Sequence, residues 1–293
     1  MYDKILPVNR YVERKNNMSY PKILTIQDIS CVGQCSLTVA LPIISACGIE
    51  TCVLPSAVLS THTAGFKGYT FRDLTDDMPA ITEHWRSEGI KFDAIYTGYL
   101  GSTKQIEYVK SIFSAVAKEK CTRIVDPAMA DNGKLYPGFD AEFVKAMRAL
   151  CAEADFVVPN ITEACLLTDT EYRESYDKEY LDLIISRLIK LGCKNIIFTG
   201  ISYRAGKTGV VVIDNGEYSY YEHDKLSNSC HGTGDIYASA FVGAVVRGRS
   251  AYESAKIAAD YTVKCIEATA EEDNHWYGAK FEPVLSELIK AIG

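Results

Sequence analysis

The sequence is short of several features that would settle its chemistry at once. Its ten cysteines include no Cys-x-x-Cys pair, and its five histidines (62, 84, 223, 231 and 275) show no metal-ligand spacing. There is no Gly-x-x-x-x-Gly-Lys-Ser/Thr loop, and no full Gly-x-Gly-x-x-Gly opens the first helix, which excludes a P-loop and a Rossmann dinucleotide site. No apolar run approaches the roughly 20 residues that a membrane helix needs, and the N-terminus has no signal-peptide core. The net charge is −7, with no local Lys/Arg cluster, which argues against a nucleic-acid partner. A soluble protein of the reducing cytoplasm is expected, with no membrane partner.

What is present is ample material for a core. Of 293 residues, 47% are apolar and 24% charged. The cysteines are scattered, several within apolar runs, where a free thiol acts as a small hydrophobe. Residues 1–17 are polar and aperiodic and read as an extension, either an arm on a partner subunit or an artefact of start-site choice. Residues 18–293 show no repeat, low-complexity tract or linker and are expected to form one domain.

Short β-branched runs alternate with helical patterns, the signature of a mostly parallel sheet wrapped by helices in an α/β fold. Strands are expected at 22–27, 51–55, 94–97, 123–125, 156–158 and 195–199. Helices are expected at 37–47, 104–118, 142–153 and 180–191, with Gly48 and Gly192 as stops. Segments 209–213 and 217–222 flank Asp214-Asn215-Gly216, a hairpin signal. Polar groups follow each parallel strand: Asp28 through Ser30, Ser56 through Thr63, Gly98 through Ser102, Asp126-Pro127, Asn160 through Glu163, and Gly200. Open α/β sheets bind ligands at that carboxyl edge, so these groups are expected to converge on one crevice.

The stretch Asn228-Ser-Cys-His-Gly-Thr-Gly-Asp235 precedes a run apolar on nearly every face. Three readings compete: a Cys230–His231 nucleophile pair, half of a metal site, or an anion cradle. Adjacent residues rarely face each other for proton transfer, and further metal ligands are lacking. Gly232, Thr233 and Gly234 at the start of a buried helix offer bare N–H groups and a positive dipole end, so the cradle fits best. Asp235 would repel a resting phosphate, yet it could take a proton from an attacking alcohol. Position alone also allows it to be a helix-terminus acid.

At these residues the chain resembles the ribokinase-like kinases. Ile26-Gln27, Ser60-Thr61-His62-Thr63, Thr97-Gly-Tyr-Leu-Gly-Ser102, Val125-Asp-Pro-Ala-Met129 and Pro159-Asn-Ile-Thr-Glu163 come in the order found in pyridoxal/pyridoxamine kinases. The resemblance spans Tyr20 to the C-terminus. It implies a three-layer α/β/α sandwich, MgATP-dependent phosphorylation of the 5′-hydroxymethyl group of a B6 vitamer, a monovalent cation such as K⁺ as a further cofactor, and a homodimer. By the same resemblance Asp235 is the base, and Gly232, Thr233 and Gly234 stabilise the transferred phosphoryl group. Asp126 and Glu163 organise magnesium, the glutamate through water, and Asn160 supports them. Thr199 and the loop of Asp224, Lys225, Leu226 and Ser227 border the nucleotide. Asp28, Ser60, His62, Thr63 and Tyr99 face the vitamer.

Two positions depart from that pattern. Asp28 stands where the family usually has serine after Ile-Gln, and Asp126-Pro-Ala-Met-Ala130 replaces Asp-Pro-Val-Met-Gly. A hydroxymethylpyrimidine or other small-alcohol kinase shares the anion hole and acid. A non-catalytic B6-binding protein is the alternative from another class, though pure binding has no need of a base.

Overall fold

The computed structural model describes residues 20–227, 230–270 and 275–293; segment 1–17 and the first two residues of the glycine-rich stretch, Asn228 and Ser229, lie outside it. In chain order the first elements are β1 (Lys22–Ser30), α1 (Leu37–Ala46), β2 (Glu50–Leu59), β3 (Phe71–Asp73), α2 (Met78–Ser87), β4 (Phe92–Thr97), α3 (Thr103–Val116) and β5 (Ala117–Val125). A small hairpin, β6 (Ala130–Asp131) and β7 (Lys134–Leu135), precedes α4 (Ala141–Cys151), β8 (Phe156–Val157), α5 (Ile161–Leu167) and α6 (Lys178–Leu191). Then come β9 (Asn195–Ile201), β10 (Lys207–Asp214), β11 (Glu217–Asp224), α7 (Thr233–Val246), α8 (Ala251–Ala270) and α9 (Leu285–Ile292).

Among the described residues the large sheet runs β11-β10-β9-β8-β5-β4-β1-β2-β3. Its six inner strands are parallel, with β3 at one edge and β10–β11 at the other attached antiparallel. Successive inner-strand residues point to opposite faces, which divides the core in two. Leu24, Ile26, Ile95 and Val125 pack under α2 to α6, while Ile23, Ala94, Tyr96 and Ile124 pack under α1, α7, α8 and α9. Each large apolar side chain so buried contributes about 1.5–3 kcal/mol. This is the expected three-layer sandwich, and α7 is buried from Ile236 to Ala244, as its all-round apolar sequence requires. The chain leaves β1 towards β2 on one side, while β4 flanks β1 on the other, so the carboxyl edge opens there into a crevice.

Several boundaries differ from the sequence reading, each for a physical reason. β1 continues to Ser30 because Ile29 and Ser30 pair with Val58 and Leu59 beyond a register shift. Asp28 therefore lies inside the strand at a bulge rather than after it, and Ser56 lies inside β2. Bulges re-aim side chains and gather near active sites. The helix expected over 104–118 stops at Val116, and the chain enters β5 directly. Ala117 pairs with Phe92 and Lys118 bonds Asp93 at 2.8 Å, so strand pairing overrides a helix-favouring Ala-Lys-Glu-Lys run. Gly200 belongs to β9 at φ 72° as the extra residue between the Thr199–Val210 and Ile201–Gly209 pairs. The hairpin turn is as expected, with Asn215 and Gly216 at φ 50° and 85°.

Candidate active site

The N-terminus of α7 defines the floor of the crevice. Gly232 precedes it at φ 77°, and a Cβ there would overlap the carbonyl oxygen of Gln34, so only glycine fits. A Cβ on Gly234, by contrast, would meet nothing within 4 Å and would project into open space. The first N–H groups of α7 thus front an accessible volume suited to an anion. The Cys230–His231 alternative loses its geometry. Cys230 contacts Thr269, burial raises its thiol pKa, and the His231 side chain is exposed.

Asp235 sits in the first turn of this helix with partial access to solvent. Burial raises its carboxyl pKa to about 6; the backbone N–H of Ser36 opposes this, and the charge of Asp28 adds to it. A carboxylate tuned towards neutrality is suited to accepting a proton from an alcohol. Asp126 follows β5, anchored by its N–H to the Thr97 carbonyl at 2.9 Å, within electrostatic reach of Asp235. Burial raises the Asp126 pKa, and the charges of Glu163 and Asp235 raise it further.

Glu163 is fixed by its own helix. Asn160 caps α5 by accepting from the Glu163 N–H at 3.0 Å, and Glu163 Oε2 accepts from the Asn160 N–H at 2.9 Å. The other oxygen accepts from the Met129 N–H at 3.2 Å, and Asn160 Nδ2 donates to the Ala130 carbonyl at 2.9 Å. One capping box therefore ties α5 to the segment that follows Asp126. Burial also raises the Glu163 pKa, against these backbone donors. The charge of Glu163 raises the pKa of the buried Asp126, and such a pair of acids favours a cation nearby. Among the described residues no group of three or more His, Cys, Asp or Glu side chains closes a metal site alone. Mg²⁺ binds through one or two carboxylates, water and phosphates, so Asp126 and Glu163 are the residues that could hold one. With both Glu163 oxygens already accepting N–H groups, a water-mediated contact fits best.

At the β1 end the structure brings Asp28 within electrostatic reach of both His62 and Tyr99. Asp28 is 5% exposed and accepts from Ser30 Oγ at 3.0 Å; burial raises its carboxyl pKa. Burial also raises the Tyr99 hydroxyl to about 12, so it stays a donor. His62 has both nitrogens engaged. Nδ1 accepts from the Ala64 N–H at 3.1 Å, so Nε2 carries the proton and donates to the Tyr277 carbonyl at 2.7 Å. Burial lowers its pKa, consistent with that neutral tautomer. Ser60 pairs with Thr70 through its N–H and Oγ, at 3.2 and 2.8 Å, and Thr63 is exposed.

Other expected residues are less central. Thr199 donates to the Pro159 carbonyl from N–H at 3.0 Å and from Oγ1 at 3.3 Å, beside the Asn160 cap. Asp224 ends β11 and pairs with Lys207 at 2.7 Å, and the Lys225 N–H bonds the Gly206 carbonyl at 2.9 Å. Leu226 and Ser227 continue towards the α7 N-terminus. The sequence reading missed Ser36, whose only visible signal is a serine directly before a helical run.

A glycine-opened helix with an acid in its first turn, set on the carboxyl edge of a sandwiched parallel sheet, defines an alcohol kinase of the ribokinase-like superfamily. The chain belongs to the phosphomethylpyrimidine kinase family, whose model matches residues 42–280. It is 36% identical to a Bacteroides thetaiotaomicron protein, provisionally named a phosphomethylpyrimidine kinase and solved with pyridoxal; the two superpose with a TM-score of 0.86 over 92% of this chain and 96% of the other. Pyridoxal kinase from Lactobacillus plantarum is 29% identical with a TM-score of 0.86, covering 93% of this chain and 98% of that one. Pyridoxal kinase of Dictyostelium discoideum is 27% identical over 244 residues, which is 78% of this chain and 79% of the relative.

Proposed function

We propose that this enzyme phosphorylates the 5′-hydroxymethyl group of a B6 vitamer with ATP. The observation that carries the reading is Asp235, a carboxylate raised to about 6 beside the open Gly234. The vitamer hydroxyl gives its proton to Asp235 as its oxygen attacks the γ-phosphorus, and ADP leaves. The N–H groups of Gly232, Thr233 and Gly234 take the charge that builds on the transferred phosphoryl oxygens. Asp126 and Glu163 would hold Mg²⁺, with Asn160 as support, and the ion when bound neutralises phosphate charge. Thr199 and Asp224 to Ser227 would border the nucleotide. Asp28, Ser60, His62, Thr63 and Tyr99 would wall the ring site, His62 mainly by its ring and its hold on the loop. A cytoplasmic homodimer, with K⁺ as an accessory cation, completes the reading.

The named relatives favour pyridoxal kinase, whereas the family model bears the pyrimidine name. A hydroxymethylpyrimidine kinase is therefore the second reading. ADP release measured with pyridoxal, pyridoxamine, pyridoxine and hydroxymethylpyrimidine separates them. The proposal expects the highest kcat/KM with a B6 vitamer. A higher value for hydroxymethylpyrimidine replaces it with the second reading, and no ADP release with any of them removes both.

A further inference from the structure

Three loops meet beside the entrance to α7, and one short segment after α8 holds all of them. That segment, 275–281, is itself fixed on α8 by two buried hydroxyls. Thr269 Oγ1 accepts from the Lys280 N–H at 2.7 Å, and Tyr261 Oη donates to the Phe281 carbonyl at 3.0 Å. Ala279 and Phe281 are themselves buried. From these anchors the segment reaches outward. The Ala279 N–H donates to the His231 carbonyl at 3.0 Å, next to Gly232 of the anion cradle. The Tyr277 carbonyl accepts from His62 Nε2 at 2.7 Å, and a Cβ on Gly278 would lie 2.8 Å from Gln34 Cβ. Trp276 covers the loop that follows β2. Gly65 holds φ 88°, and a Cβ there would lie 2.7 Å from the indole, so a side chain would be both strained and blocked. The Phe66 ring centroid is 4.7 Å from that of Trp276, and Phe66 in turn meets the His62 ring edge-on at 5.0 Å.

We infer that Trp276 is a positioning residue for the alcohol substrate: it backs Gly65 and Phe66 against His62, and so sets the wall that the substrate meets. The inference rests on the reading of residues 60–63 as part of the acceptor site. Trp276 lies outside both cores of the sheet and is 52% exposed, so its own burial adds little to stability. Its ring contacts run to the acceptor loop and to Tyr277 instead. The same anchored segment also holds the His231 carbonyl, so acceptor loop and anion cradle share one reference point on α8. Phosphoryl transfer needs the alcohol oxygen in line and close to phosphorus, and a common anchor limits how far the two walls can drift apart. The nucleotide-side residues are held elsewhere: Asn160 by Ala130, Thr199 by Pro159 and Asp224 by Lys207. Trp276 therefore acts on the acceptor and not on ATP.

The test uses Trp276→Ala and Trp276→Phe in the full chain. It reads amide hydrogen exchange over residues 62–68 without ligands, and ADP release with MgATP and the preferred alcohol. Trp276→Ala leaves Tm unchanged and speeds exchange across the loop. It raises the KM for the alcohol about 10-fold, while the KM for ATP stays as in the parent. Trp276→Phe keeps a ring against Phe66 and returns both exchange and alcohol KM towards the parental values. An unchanged alcohol KM in Trp276→Ala overturns the inference. So does an equal rise in both KM values with a fall in Tm, the mark of a merely structural residue. The exchange measurement needs no turnover. If the parent phosphorylates none of the alcohols, the functional reading fails by itself, and loop exchange in Trp276→Ala still decides. Faster exchange keeps Trp276 as the residue that positions this loop, and unchanged exchange removes it.

Discussion

Two acids of the crevice are held in opposite ways. Glu163 is fixed by neighbours in sequence, through the capping box with Asn160 and one bond to Met129. Asp235 has its pKa lowered by the backbone of Ser36, which comes from the other end of the chain on a segment pressed against Gly232 and Gly278. The first arrangement forms as soon as α5 forms. The second exists only once β1, α1 and α7 have packed together. Local design makes Glu163 robust, and long-range design makes Asp235 adjustable.

The comparison breaks most sharply at the base itself. Asp235→Asn keeps the fold and nucleotide binding while kcat falls about 10²–10⁴-fold, the range for a general base. A purified variant with near-parental turnover in the ADP-release assay would show that the acid only stabilises its helix. At the locally held acid the change is smaller and of another kind. Glu163→Gln preserves the capping box, since Gln serves at that position, yet it should raise the Mg²⁺ requirement by about 10-fold. Glu163→Ala adds a loss of about 1 kcal/mol in stability from the broken cap. An unchanged Mg²⁺ titration of turnover in the Gln variant would reduce Glu163 to a structural acid.

The two glycines sharpen the contrast between packing and ligand space. Gly232→Ala should lower Tm by several degrees, because the side chain meets the Gln34 carbonyl and the backbone is left-handed. Gly234→Ala should leave Tm unchanged and weaken ATP use about 10-fold, because its methyl group enters only the open space before the helix. Thermal melts beside ATP kinetics check both, and equal Tm losses would mean that neither glycine faces ligand.

The smallest effect concerns pH. Asp235, Asp126 and Glu163 all have raised pKa values in the fold, with burial the first cause. From the ordinary carboxyl range near ~4 up to about 6 for Asp235, the folded chain keeps a proton that the unfolded chain has lost. The ligand-free protein therefore loses the stability due to this group as pH rises through that window. Tm should fall by a few degrees less between pH 4.5 and 7 in Asp235→Asn than in the parent. MgADP should restore more Tm at pH 7 than at pH 5, since a cation needs ionised acids. Parallel melting curves for parent and variant would contradict the raised carboxyl.

Much of the fold and of the crevice is legible in the amino-acid sequence alone. The hydrophobic alternation, the Asn-Gly turn, the glycines ahead of an apolar helix and the Asn160-to-Glu163 spacing are short-range patterns that leave marks in sequence. They are enough to determine the layered α/β fold, the carboxyl-edge crevice and the acids that gather there. What the sequence could not carry is anything decided by residues meeting from distant segments. The bulge that takes Asp28 into β1 depends on how Ser56 and Ala57 of β2 pass it. The end of α3 at Val116 depends on pairing with β4. The engagement of His62 Nε2 depends on Tyr277, and the pKa of Asp235 depends on the backbone of Ser36 and the charge of Asp28. In each case the local backbone preference is weak or contrary, and long-range contacts overrule it; tertiary structure alone decided where the acids point and what tunes them.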